Sequence, residues 1–331
     1  MPIALAAKCG DLIDKAILVG LLGFLIAVSN PASAQTGTAC PPASEPPTPE
    51  MIRSAARDAR DHGFMWRISK NGHTSYLYGT MHVGKLEWVY PGPKVIQALS
   101  ATDTVALELD DLDADIQMRM AKGLAEASDM VLPEALVNRL RQQAVTLCVP
   151  YASIARTSPE LQVELLSLMV GRLDKLDAAY ASDAVLAAIG HDTKKNVVSL
   201  ETPELQLDLL KMKTPRETVS FVQTSLDELE NGSARKLLLH ISEVWANADY
   251  AAMSHFSDWC GCLDTGIERE MMKRMLDERN PSMAEHIDAL HAGGKHVFAA
   301  VGSLHMFGEI GLPALMKRRG YLVEQVDLKP Q

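Results

Sequence analysis

Apolar positions change their period several times along the chain, and the changes mark its elements. Pro49 can open a helix over Met51 to Asp61, which Gly63 ends. Phe64 to Ile68 reads as a strand, Asn71-Gly72 as a tight turn and Thr74 to Tyr78 as its antiparallel partner, a strong hairpin signal. A short helix near Pro93 to Ser100 precedes a third strand, Thr104 to Leu109. From Asp113 to about Ile189, Leu, Met and Ala recur at three- and four-residue spacing, broken near Pro133, Pro150 and Pro159. That stretch predicts a helical insertion or cap between strands.

Strand character returns in Asn196 to Leu200, and a second helical section covers Pro203 to Asn280. Ser282 with Glu285 reads as a capping box opening a helix that stops at Gly293-Gly294. His296 to Val301 is a short apolar strand, and a helix near Leu312 to Arg319 leads to a terminal strand, Tyr321 to Val326. Strands separated by helices predict an α/β fold: a mixed, mainly parallel central sheet with an antiparallel edge hairpin, flanked by helices and carrying helical insertions.

The first 34 residues do not belong to that pattern. Lys8 and Lys15 precede an apolar run of 13 residues, Ala16 to Val28, and Ala32-Ser33-Ala34 follows. This is the order of a secretory leader, and 13 residues fall short of the about 20 that a membrane helix needs. Cleavage before Gln35 sends the chain to the periplasm or outside the cell; an uncleaved leader would anchor it to the membrane. Residues 35 to 49, with five Pro, read as a linker, and one α/β domain spans residues 50 to 331 with its helical insertion at about 113 to 189.

The formal charge of −10 is unchanged when the leader's two Lys and two Asp are removed. A surface of that sign repels nucleic acid and anionic lipid, and no Arg/Lys stripe offsets it. Cys40, Cys148, Cys260 and Cys262 allow two disulfides in an oxidising compartment, in any of three pairings. Cys260 and Cys262 are so close in sequence that each is expected to seek a distant partner.

Four strands end in residues able to do chemistry. Thr74 to Tyr78 runs into Gly79-Thr80-Met81-His82, and Thr104 to Leu107 into Glu108. Asn196 to Leu200 runs into Glu201, and His296 to Val301 into Gly302-Ser303-Leu304-His305. Ligands of open α/β sheets bind beyond the carboxyl ends of strands. If these strands are parallel neighbours, two His and two Glu meet in one crevice. Singly, each has a plainer account: a packed His, an edge-strand Glu, a Glu introducing a helix. Arg279 is ordinarily a surface charge, and gains meaning only if Glu108 or an oxyanion needs a cation. His240, His255, His286, His291 and His296 read as surface or packing residues. The acidic run at Asp110, Asp111, Asp113 and Asp115 lacks the Gly and Glu of a calcium loop and reads as solvated.

With these residues in view, the chain resembles the TraB/GumN family, to which the Tiki metalloproteases are related. The resemblance rests on Phe64 to Ile68, Tyr76 to Gly84, Leu107-Glu108-Leu109-Asp110, Leu200-Glu201-Thr202 with Gln206, Arg279-Asn280, and Val301 to His305 with Gly308, Gly311 and Gly320-Tyr321. Ser199 and Asp249 depart from its pattern without removing a candidate ligand. The resemblance implies a compact α/β fold like those of haem-binding ChaN-like and erythromycin-esterase-like proteins. It also implies a divalent-metal-dependent hydrolase acting on a peptide or protein. His82 and His305 would then be metal ligands, with Glu108 or Glu201 completing the site and the other acting as base. Arg279 would stabilise an oxyanion, and Mn, Co and Zn suit the ligand set alike. The alternative is a non-enzymatic envelope protein that binds haem, a metal or a peptide in the same crevice.

The leader gives the first prediction. Terminal sequencing of protein recovered from the cell envelope should read from Gln35. A chain beginning at Met1 in the membrane fraction would instead establish an anchor.

Overall fold

The computed structural model describes residue 40, residues 48–126 and residues 129–329. The leader over 1–34 and most of the Pro-rich linker lie outside the described residues. Six strands form one sheet: β1 (Phe64–Lys70), β2 (His73–Thr80), β3 (Thr104–Leu107), β4 (Asn196–Ser199), β5 (Val297–Gly302) and β6 (Leu322–Val326), in the spatial order β4-β3-β5-β2-β1-β6. β4, β3, β5 and β2 run parallel, while β1 is antiparallel to both β2 and β6. The expected mixed, mainly parallel α/β sheet is therefore present. The hairpin is closed by Asn71 and Gly72, both at positive φ, but β6 covers β1 and takes the edge for itself.

Several boundaries differ from expectation: the first helix is Pro49–Arg57 rather than Met51 to Asp61, and β3 ends at Leu107 rather than Leu109. The helix expected from Ser282 is Asn280–Ala292, because Pro281 is pre-set for a first turn. The capping box lies instead at Thr265 and Glu268. The helical insertion is also not a unit by itself. Its Leu136, Leu140, Val163 and Leu166 form one core with Val222 and Leu226 of the Pro215–Asn231 helix, which follows β4. A second core is built on the sheet, around Phe64, Leu77, Val105 and Phe298. Leu238 packs against both.

The cysteine expectation is overturned at one pair. Cys260 bonds Cys262, across a turn at Gly261 that brings their Cα atoms to 5.1 Å, and Cys40 bonds Cys148 at 5.7 Å. Both spans lie within bridging range. Proximity in sequence thus did not forbid the Cys260–Cys262 pairing. Among the described residues no helix is long and apolar enough to cross a membrane.

The helical lobe carries a carboxyl whose proton affinity changes on folding. Burial first, and the neighbouring Glu228 second, push the Glu164 carboxyl up to about 7 from 4.5. Between those values the folded lobe holds a proton that the unfolded chain releases. Its stabilising effect is complete below the unfolded value and lost as pH rises through 7. Urea midpoints should fall between pH 5 and pH 8, and less so in Glu164→Gln. An equal fall in both proteins would assign the pH dependence to other groups.

Candidate active site at the carboxyl ends of four parallel strands

Because β4, β3, β5 and β2 are parallel neighbours, their carboxyl ends open on one side of the sheet. His82, Glu108, Glu201 and His305 all gather there. A Cβ placed on Gly302 would stand 3.2 Å from Glu108 Oε1, 3.5 Å from His305 Cδ2 and 3.6 Å from His82 Nε2. Three functional side chains thus face one point, which any residue larger than Gly would fill. At Gly79, the Gly of the other Gly-x-x-His segment, a Cβ would approach Ser303 Oγ to 2.9 Å. Ser303 in turn donates to the Thr80 carbonyl, so the two Gly-x-x-His turns are fastened to each other.

Each imidazole is oriented through Nδ1. His305 donates to Asn280 Oδ1 at 2.6 Å, and Asn280 donates to the Ile310 carbonyl, which leaves His305 Nε2 3.7 Å from Glu108 Oε1. His82 Nδ1 lies 2.8 Å from Asp183 Oδ2, and its side chain keeps 59% of its exposure. Asp183 is delivered by the Ser182–Asp192 helix, whose Ser182 bonds the Met81 backbone from both its amide and its hydroxyl. The Asp183 carboxylate beside it raises His82 to about 9. Burial lowers His305 despite the attraction of Glu108, so its ring is neutral at neutral pH.

The acids are organised around Arg279, which is 6% exposed. Its Nε donates to Glu201 Oε1, its Nη2 to Glu201 Oε2 and to Glu108 Oε2 at 2.6 Å each, and its Nη1 to the Met275 carbonyl. Gln206 donates to both carboxylates as well. Glu201 thereby has both oxygens engaged. Glu108 keeps Oε1 turned to the imidazoles, where the Gly302 amide donates to it at 2.7 Å. Burial would raise the Glu108 carboxyl. The adjoining His305, Arg279 and His82, with the Gly302 amide, overcome this and hold it at about 2.

Sequence reasoning missed Asp183 and read Asp111 only as part of a solvated acidic run. Asp111 is raised to about 6, by burial first and by Asp183 next. Asp183 sits in the first turn of a helix rather than at a strand end, so no strand pattern pointed to it. The acidic run is also more than a solvated stretch: Asp110 is buried against His191 Nε2 at 2.8 Å, and Asp113 caps the Ala114–Ala125 helix. Among the described residues no group of three or more His, Cys, Asp or Glu side chains is placed to hold a metal ion. His305 Nε2 and Glu108 Oε1 stand 3.7 Å apart.

Comparison with known proteins adds a family. The model of the TraB/PrgY/gumN family matches residues 64–325. The chain is 22% identical over 250 residues to the uncharacterized protein YbaP of Shigella flexneri, across 73% of this chain and 88% of that one. It is 22% identical over 249 residues to YbaP of Escherichia coli strain K12, across 73% and 87%. No solved structure matches it.

The arrangement of charges predicts a strong non-additivity. Arg279→Met leaves two buried carboxylates without their cation and should destabilise the fold by about 3–5 kcal/mol. In a Glu108→Gln/Glu201→Gln background the same change should cost far less, as read from urea unfolding. Equal losses in the two backgrounds would mean that Arg279 acts through packing alone.

Proposed function

The chain belongs to the TraB/PrgY/gumN family, and from that premise we propose that it is a divalent-metal-dependent hydrolase of the cell envelope that cleaves peptide bonds. The observation that carries this reading is the convergence of His82 Nε2, His305 and Glu108 Oε1 on the space above Gly302. Two imidazoles held through Nδ1, that of His82 once an ion displaces its Nε2 proton, form with one ionised carboxylate a donor set suited to Zn, Mn or Co. The absence of a side chain on Gly302 leaves room for an ion among them.

His82, His305 and Glu108 would hold the ion, which when bound supplies a Lewis acid and a water acidified toward neutrality. The remaining work falls to the chain. Glu108, ionised at neutral pH, can bind at Oε1 or accept a proton there. Glu201 is unsuited to either task because Arg279 and Gln206 engage both its oxygens. Its role in this reading is to hold the guanidinium, which fixes Glu108 from behind. Arg279 spends most of its donors on the two acids and on Met275, so it acts by positioning Glu108 rather than by meeting an oxyanion. The solvent-open His82 marks the side from which a peptide reaches the crevice.

Elemental analysis paired with peptide cleavage in added Mn, Co or Zn tests the reading. His82→Ala and His305→Ala should lose most bound metal while remaining folded, since a core of this size does not depend on one ion. Glu201→Gln should retain metal. Glu108→Gln should lower turnover by about 10²- to 10⁴-fold if Glu108 moves the proton, and should lose metal if it is a ligand. A parent protein that takes up none of these ions and cleaves no peptide would refute the hydrolase. Metal bound without cleavage would favour an envelope protein that only binds.

A further inference from the structure

A cavity of about 330 Å³ lies in the helical part of the molecule, beside the crevice but separate from it. Its walls include Leu124, Leu161, Leu207 and Leu210, and Glu160 lines it as well. Glu160 is 5% exposed, and among the described residues no Lys, Arg or His stands within ion-pair distance of it. Its hydrogen bonds, from the Thr218 hydroxyl at 2.7 Å and the Met212 amide at 3.3 Å, both fall on Oε1. A buried carboxylate without a cation is unfavourable unless something answers its charge. Two hydrogen bonds to one oxygen and the start of the Pro159–Met169 helix answer part of it. Lys211 and Glu126 line the cavity too, but both are exposed and opposite in sign.

Apolar walls with a carboxylate among them complement one kind of group: an aliphatic stem ending in a positive charge. We propose that this cavity is a subsite for a lysine or arginine side chain of a peptide, with its stem against the leucines and its charged head on Glu160. The Pro203–Leu209 helix connects the subsite to the crevice, turning Gln206 toward Glu108 and Glu201 while its neighbour Leu207 lines the cavity. A helix is roughly 10 Å across, which about three residues of extended peptide can span. The proposal rests on the hydrolase reading only in placing the basic side chain on a substrate; the cavity and its charge do not depend on a metal.

Calorimetric titration of metal-free mature protein with acetyl-arginine amide, acetyl-lysine amide and acetyl-norleucine amide tests it. The two cations should bind, and the uncharged norleucine derivative should bind at least tenfold more weakly. Glu160→Gln keeps an acceptor for Thr218 but removes the charge, and should weaken both cations at least tenfold without changing the norleucine derivative. Leu210→Trp fills the cavity from its wall and should abolish binding of all three, which keeps the test decisive if Glu160→Gln fails to fold. Equal binding of arginine and norleucine derivatives, arginine binding that survives both variants, or no cation binding at millimolar concentration would each overturn the subsite. None of these results depends on metal content or turnover, so failure here is distinguishable from failure of the hydrolase reading.

Discussion

Two carboxylates, Glu108 and Glu201, are buried side by side at the ends of neighbouring strands, and a single guanidinium makes that arrangement possible. Isolated, either charge would be driven to protonate or to leave the interior. Arg279 bonds Glu201 through two of its nitrogens and reaches Glu108 with the same Nη2, a division of donors that a compact ammonium could not match. A π-helical turn over Lys273–Asp277 precedes Arg279, and its Met275 carbonyl accepts from the guanidinium. The geometry of the acids therefore depends on a chain segment about eighty residues beyond Glu201.

The same ion-pair network gives the two acids different environments. Glu201 is closed in by Arg279 and Gln206, while Glu108 has one oxygen on that network and the other facing His305 and the Gly302 amide. Around it, the imidazoles are steered from outside by Asp183 and Asn280. Those two residues arrive on helices whose first turns lie against the ends of the sheet strands. Orientation of the site is consequently a property of helix placement as much as of the strands.

The helical sections surround this crevice, and Val185 and Ile189 of the Ser182–Asp192 helix, with Trp245 and Met253 farther along, join the sheet core itself. The Ala114–Ala125 helix contains no buried residue and lies on the Pro203–Leu209 helix, joined by the Arg119–Glu204 ion pair and by Gly123 against Leu207. The deeper lobe draws its apolar residues from segments before and after β4. Segments leaving Glu108 and Glu201 thus pass directly into the walls of the neighbouring cavity, so site and cavity are built from the same stretches of chain.

Much of this was legible in local pattern. The hairpin, the parallel strands and the four strand-end residues all follow from period, turn chemistry and punctuation by Gly and Pro, because these act over a few residues. The Gly-x-x-His repeats likewise announced their own turns. Other features depend on packing between distant segments, and no local pattern encodes that. The sequence did not place β6 outside β1, pair Cys260 with Cys262, or extend the helical core across β4 to Val222 and Leu226. It named Glu108 and Glu201 as equals; only the folded position of Arg279 made one enclosed and left the other facing the imidazoles. Asp183 was invisible until its helix met the turn after β2. Sequence determined which chemical groups the strand ends carry, and tertiary structure decided which of their atoms remain free, since that depends on partners brought in from far along the chain.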